Sequence, residues 1–332
     1  FRDSYLLRKL FDAVLRRCMS EGLVGGEGCA VDASVIKAEA NRERSVPGDP
    51  GLPPEASSRA IDEYLAVLDD APFGGATPVT PKFISPVDPA ARWTAANKGP
   101  AFFAYATNYL IDLEHAVIVD VEASTAVRPA ELTAARTMIE RVQDRHDLHP
   151  DRLAADTAYG SAEMLEWLVN DQGIAPHIPI IDKSGRTDGT FSRADFTYDR
   201  AADLYRCPGG KELKQYRRAF RADHPDTPPD DTYRHRASKI HCDACALKPE
   251  CCPNGPARKV TRSIHEDARD LARTDAYVTS RRELFAHLNR ILWLDQPRLR
   301  GRCSARDEFL LAATAQNLRK IARLIGPPWQ RC

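Results

Sequence analysis

Asp32 and Asp156 are the residues whose surroundings call for chemistry. Asp32 sits within Gly28-Cys-Ala-Val-Asp-Ala-Ser-Val-Ile-Lys-Ala38, where Ala30, Asp32 and Ser34 alternate with Val31, Ala33 and Val35. That alternation reads as a half-buried strand with its acidic side on a cleft. A carboxylate in so apolar a run is costly unless a cation or a donor meets it. Asp156 ends a second short apolar run, Arg152-Leu-Ala-Ala-Asp156, and a turn, Thr157-Ala-Tyr-Gly160, follows at once. Ligands of open α/β sheets collect outside the carboxyl ends of strands. Two Asp side chains on adjacent strands repel each other unless a divalent cation bridges them. Mg²⁺ (or Mn²⁺) takes one or two carboxylates, keeps waters and accepts phosphates, so the pair predicts phosphodiester chemistry assisted by two ions about 4 Å apart.

A second constellation is Cys207 with Cys242-x2-Cys245-x5-Cys251 and the adjacent Cys252. The chain shows no secretory signal, and clustered Cys then favour metal over disulfides. Cys207, Cys242, Cys245 and Cys251 are the expected ligands of a structural Zn²⁺, with Cys252 or His241 as substitutes. Such a site would hold together a segment with few apolar groups. Cys18, Cys29 and Cys303 read as small core residues.

Basic residues surround the Cys cluster. Lys211, Lys214, Arg217, Arg218 and Arg221 lie beside Tyr216 and Phe220, followed by Arg258, Lys259 and Arg262. Charge interleaved with aromatics suits phosphate contact and stacking on unpaired bases, and a solvated face is the alternative. Arg298, Arg300 and Arg302 beside Gly301 are a further candidate phosphate contact. Gln316, Asn317, Arg319 and Lys320 add polar groups at helical spacing, where a solvated helix face is the plain reading. Asp120 lies within a strand with no turn after it and reads as a solvent-facing or hydrogen-bonded acid. His146 and His149 flank a helix end, a dipole position.

The elements that must position these residues form an α/β pattern around a mixed sheet. An amphipathic helix carries Leu6, Leu7, Leu10, Phe11, Val14, Leu15 and Cys18. The glycine-rich 21–28 lacks the Gly-Lys-Ser/Thr ending of a phosphate loop and reads as a turn. Residues 41–100 have largely loop composition around a short helix at 59–70. Strands follow at 102–111 and 116–123, then a helix at 129–144 with Pro near its first turn. After the 152–156 strand, Ser161 caps a helix over 162–170, and 175–181 is another strand. Residues 182–270 break the rhythm, and helical periodicity resumes at about 277–294 and 305–324.

The chain has 332 residues, 43% of them hydrophobic, enough for one large core plus an inserted module. No apolar run approaches the roughly 20 residues a membrane span needs, so a cytoplasmic protein with no membrane partner is expected. Phe1 stands at the mouth of a helical pattern, and residues 1–28 read as the remnant of a longer N-terminal helical region. The formal charge is zero, yet residues 200–332 hold 27 Lys and Arg against 16 Asp and Glu, a net +11 that the first 199 residues cancel. An acidic first part and a basic second part suit carboxylates that hold metal and later segments that meet a polyanion.

VDASVIKAEANRE, SPVDPAARWTAANKGPAFFAYATNYLIDLEHAVIVDVEA, LAADTAYGSAEML, CDACALKPECCPNGPARK, SIHEDARD, LFAHLNRILWL and SARDEFLLAATAQNLRKIARL, in that order, resemble the DDE transposases of bacterial insertion sequences, in the subgroup with a Cys-bearing insertion between the second and third acids. The resemblance implies a ribonuclease H-like fold: a core beginning at 29–181, the insertion at 182–270, and C-terminal helices at 271–332 completing the core. It makes Asp32 and Asp156 the first two acids of the catalytic triad. It also implies Mg²⁺-dependent hydrolysis at the element ends, attack of the freed 3′ hydroxyl on double-stranded target DNA, and a homo-oligomer on DNA. The third acid departs from the family pattern: its position falls on Arg282, a companion Lys position falls on Asn289, and Glu283 lies one residue off, about 100° around a helix. Either Glu283 substitutes through a helix shift or the site is incomplete. A metal-dependent nuclease of the same fold and a catalytically dead, zinc-stabilised DNA-binding remnant are the rival readings.

Overall fold

The computed structural model describes residues 5–49, 52, 58–66, 81–95, 99–180, 188–216, 232–274 and 300–325. The chain divides into two units, Ile180–Arg273 and the remainder, Phe1–Pro179 with Thr274–Cys332.

The first unit is built on a mixed sheet. Its centre is β1 (Gly28–Lys37), flanked by the antiparallel β5 (Phe102–Asp112) and the parallel β7 (Arg152–Ala154), with β8 (Ala175–His177) parallel beyond β7. β5 is buried along almost its whole length, as its aromatic and β-branched composition predicts. Its outer edge carries β6 (Ile118–Thr125) and, at its first residues, β4 (Arg92–Thr94). The loop composition of 41–100 conceals β4 and the small pair β2 (Val46–Pro47) and β3 (Phe83–Ile84). Trp93 earns its strand by stacking edge-on against Phe83 and Phe103, a tertiary gain that no local pattern carries.

Helix α1 (Leu6–Ser20) buries Phe11, Val14, Leu15 and Cys18 of the face its spacing predicts, while Leu6 and Leu10 of that face are exposed. Helix α2 spans Arg59–Ala66. Helix α3 (Arg128–His146) buries Leu132, Ala135, Met138, Ile139 and Val142 and packs over β5 and β6. Ser161 accepts from the Met164 N–H and caps α4 (Ala162–Glu166) as expected, but a π turn at Trp167–Asp171 replaces the helix's second half. The last described helix, α8 (Arg302–Leu324), packs on α1 and β6. Asn317 is fully buried there, accepting from the Ile118 N–H at 2.9 Å and donating to the Ile118 carbonyl at 2.8 Å. It satisfies the backbone of β6, which corrects the reading of Gln316 and Asn317 as a solvated face.

Asp120 is buried and paired with Arg8 and, at 2.8 Å, with Arg141, which also reaches Glu122 at 2.7 Å. It belongs to the packing of α1 and α3 onto β6, with no part in a cleft.

In the second unit, β9 (Thr197–Asp199), β10 (Leu204–Arg206), β11 (Glu212–Gln215), β12 (Thr232–Arg236) and β13 (Lys259–Ser263) pair antiparallel in chain order. Helices α5 (Lys239–Asp243) and α6 (Lys248–Cys251) carry the Cys cluster, and α7 (Glu266–Thr274) closes the unit. Phe196, Tyr205, Leu213, Ala237, Ala257 and Val260 form a small core completed by Cys242 and Cys251. This corrects the expectation that the segment lacks core material. A second tie is Glu266, buried and paired with Arg193, with Arg273 at 2.7 Å and with Arg269 at 3.6 Å. Burial raises its carboxyl pKa, and these guanidinium groups more than reverse that, to about 2.

Candidate active site

The register between β1 and β7 pairs Ala30 with Ala154. Asp32, midway along β1, and Asp156, just past the carboxyl end of β7, each stand two residues beyond that pair, at the level where the shorter parallel strand ends and sheet ligands bind. β1 is buried through Val31 and opens at Asp32. The Asp32 Oδ1 accepts from the Ala33 N–H at 2.8 Å. The Asp156 Oδ1 accepts from the Ala158 N–H at 2.7 Å and so caps the 3-10 turn Thr157–Tyr159. One oxygen of each carboxylate is thereby fixed by local backbone, and the other remains for a ligand. Gly160 lets this turn press on its neighbour, since a Cβ there would stand 3.0 Å from the Pro179 carbonyl.

Burial raises the Asp32 pKa from 3.8 to about 6, and the charge of Asp156 adds to the rise. Asp32 therefore gains from any cation placed between the two.

The structure adds a residue that sequence reasoning missed. Glu131, in the first turn of α3, is half-buried, and its pKa is raised to about 6 by burial and then by the charges of Asp156 and Asp32. An acid in a helix's first turn reads as a dipole partner, and only the docking of α3 brings this one to the two aspartates. Arg128, one helical turn earlier, makes that docking: its Nε donates to the Ala158 carbonyl and its guanidinium to the Thr157 carbonyl, both at 2.9 Å. Tyr159, 2% exposed, lies against the same charges, and its hydroxyl has no hydrogen-bond partner among the described residues.

The all-carboxylate donors of Asp32 and Asp156 fit a hard ion such as Mg²⁺, which needs only one or two carboxylates because it keeps several waters. Among the described residues no three His, Cys, Asp or Glu side chains are grouped as a metal cage. Glu283 lies outside the described residues.

The same finding gives the zinc expectation no support. Cys207, Cys242, Cys245, Cys251 and Cys252 do line one cavity, of about 20 Å³, but they are not arranged as a ligand set. Cys242 and Cys251 instead fill the core of the insertion. His241 is exposed beside the same cavity.

The expected DNA-contact residues divide. Lys211 and Lys214 line an open groove of about 640 Å³ together with Arg206, Arg236, Lys239 and Tyr216, with Arg236 over the Tyr216 ring. Lys259 is exposed on β13. Arg300 is exposed and 3.6 Å from Glu39. Arg258 is a correction: it is buried, donating to the carbonyls of Cys251 and Phe191 and stacked over Phe196, so its charge serves the fold of the insertion. Arg262 is likewise taken up by Asp267 and Asp270. Arg217, Arg218 and Arg298 lie outside the described residues.

No helix among the described residues is long and apolar enough to cross a membrane. A family model described as a transposase DDE domain matches residues 25–318. No curated protein and no solved structure matches the chain.

Proposed function

The chain belongs to the family of the transposase DDE domain, and from that premise we propose that it cleaves DNA at the ends of an insertion sequence and joins the freed strand to target DNA. The observation that carries the reading is that Asp32, within β1, and Asp156, just beyond β7, each follow the paired Ala30 and Ala154 by two residues. The mixed sheet with flanking helices supports the expected ribonuclease H-like core.

Asp32 and Asp156 would hold Mg²⁺ or Mn²⁺ through the carboxylate oxygens not engaged by Ala33 and Ala158. The bound ion supplies Lewis-acid polarisation of a phosphodiester and makes a water or a 3′ hydroxyl easier to deprotonate. The chain's own part is positional. Backbone N–H groups lock both carboxylates, and Arg128 holds the Asp156 turn by two carbonyls. Because burial raises the Asp32 pKa to about 6, an ion competes with a proton there, and its affinity rises as pH increases through that value.

The groove carrying Lys211 and Lys214 supplies phosphate contacts, and Tyr216 offers a face on which a base can stack. A homo-oligomer acting on double-stranded DNA follows from the need to hold two element ends.

The test is a duplex bearing an element end, incubated with Mg²⁺ or Mn²⁺ and a second duplex. Nicking followed by joining is expected, with Asp156→Ala abolishing both. Hydrolysis without joining would favour a nuclease of the same fold. Absence of cleavage, with Asp32→Ala leaving DNA affinity intact, would leave a DNA-binding remnant.

A further inference from the structure

The geometry points to a second phosphate-binding surface, in the unit that carries the two aspartates: Arg42 and Lys82, mounted on Phe83 and Trp93, hold the backbone of the DNA duplex about six base pairs from the phosphate at Asp32. The inference rests on the reading of Asp32 and Asp156 as the cleavage site and adds to it a contact surface separate from the groove of Lys211 and Lys214.

The placement follows from sheet register. β1 and β5 pair Asp32 with Tyr109 and Ile36 with Tyr105, and just beyond β1 the Ala38 N–H donates to the Phe103 carbonyl at 2.8 Å. β4 in turn sets Trp93 opposite Phe103. Opposed residues share a face, and side chains alternate with a period of two. Asp32, Tyr109, Tyr105, Phe103 and Trp93 therefore lie on one face of the sheet. From Asp32 to Ala38, the residue level with Phe103, the extended chain covers about 20 Å at about 3.3 Å per residue. That is about six steps of a duplex whose strand rises about 3.4 Å per phosphate.

The surface at that level is cationic and braced. The Arg42 guanidinium lies 3.4 Å from the centre of the Phe83 ring, and the Lys82 ammonium lies 5.5 Å from the same ring. Trp93 meets Phe83 edge-on at 5.7 Å and Phe103 at 5.1 Å. Asn41 accepts from the Glu43 N–H at 2.9 Å and the Ser45 hydroxyl donates to the Arg42 carbonyl at 2.6 Å, which fixes the turn carrying Arg42. Glu43 and Arg44 of that turn are both exposed and offset each other in charge.

Arg42 and Lys82 are exposed, and neither pairs with a carboxylate among the described residues. They differ in this from Arg141, Arg193 and Arg262, whose charges Asp120, Glu266 and Asp267 take up. An arginine oriented by a ring instead of an acid keeps its forked donors for an incoming oxygen anion. Two cations at one ring also repel each other, and a phosphate between them relieves that repulsion.

The alternative is a structural role, in which the Arg42–Phe83 stack only fastens β3 to the turn before β2. Metal-free binding of the full chain to a duplex of unrelated sequence, measured against salt, separates the two for wild type, Lys82→Gln and the double variant Arg42→Gln with Lys82→Gln. Each phosphate contact adds about 0.9 to the slope of log affinity against log salt, so K82Q should lower the slope by about 1 and the double variant by about 2. Duplexes bearing an element end, stopping about 3 or continuing about 12 base pairs past the scissile phosphate, test the distance. The variants should bind the short duplex as wild type does and lose the wild type's gain in affinity on the long one. A wild-type slope in K82Q, or a double variant whose only change is a lower melting temperature, would establish the structural role and overturn the inference. An equal loss on both duplexes would overturn the placement. None of these outcomes depends on cleavage; failure of the wild type to cleave with Mg²⁺ or Mn²⁺ would overturn the cleavage reading, and the placement with it.

Discussion

Replacing Asp32 with Asn should stabilise the metal-free protein, and the gain should grow with pH. Asp32 lies midway along β1, where the strand stops being fully buried, and burial followed by the charge of Asp156 raises its pKa from 3.8 to about 6. The native state therefore binds more protons than the unfolded state between those values, and stability falls as pH rises through them. At about 1.4 kcal/mol per tenfold difference in proton affinity, the penalty carried by the ionised Asp32 at pH 7.5 is about 3 kcal/mol. Asn keeps an oxygen for the Ala33 N–H and carries no charge. The stability difference between D32N and wild type should thus be near zero at pH 4 and reach about 2–3 kcal/mol by pH 7.5. Taking this difference cancels titrating groups remote from the site, including Glu266, whose sign is opposite, while relief of Glu131 from the Asp32 charge adds to the gain. Urea unfolding in the presence of a chelator, followed by tryptophan fluorescence, is the assay. All four Trp lie outside 180–273, so the signal reports the unit that contains the site. Added Mg²⁺ should close the gap, since a ligand at 100 times its dissociation constant contributes about 2.7 kcal/mol to the wild type alone. A stability difference that does not change with pH, or a destabilised D32N at pH 7.5, would refute the reasoning.

Three further outcomes are expected. Glu266→Ala removes the buried carboxylate that Arg193, Arg269 and Arg273 share and should cost about 3 kcal/mol, read as faster amide hydrogen exchange across 180–273. Because the Glu266 pKa is depressed to about 2, its contribution is complete above the unfolded value near 4.5 and lost as pH falls towards 2, and the same exchange experiment run down in pH checks this. Asn317→Ala leaves the buried N–H and carbonyl of Ile118 without their side-chain partners and should cost about 2 kcal/mol in the fluorescence-detected unfolding. Replacing both Lys211 and Lys214 with Ala should reduce the slope of log DNA affinity against log salt by about 2, while D32N leaves that slope unchanged.

The first unit was the more legible because its elements are specified locally. The unbroken aromatic and β-branched run of β5, the apolar faces of α1 and α3, and the Ser161 cap each follow from short-range pattern. Legibility stopped where an element depends on distant partners. β4 exists because Trp93 stacks between Phe83 and Phe103, and Asn317 is core because it serves the edge of β6. The insertion was misread for a related reason: dispersed Phe196, Tyr205, Leu213 and Val260 show no periodicity, yet a five-stranded meander gathers them. The cysteines among them then read as metal ligands, when two of them pack as small hydrophobes.

What the sequence by itself singles out is the pair Asp32 and Asp156, because an acid within or just after a short apolar run is visible within a few residues; that β1 and β7 pair in parallel comes from the tertiary structure. What only the tertiary structure decided is the company they keep. Glu131 looks like any acid in a helix's first turn until Arg128 docks that turn on the Asp156 loop, and Arg258 looks like any cation beside a groove until its guanidinium is seen turned inward onto two carbonyls. Side-chain charge can be read from a sequence; the direction it faces is set by how the elements pack.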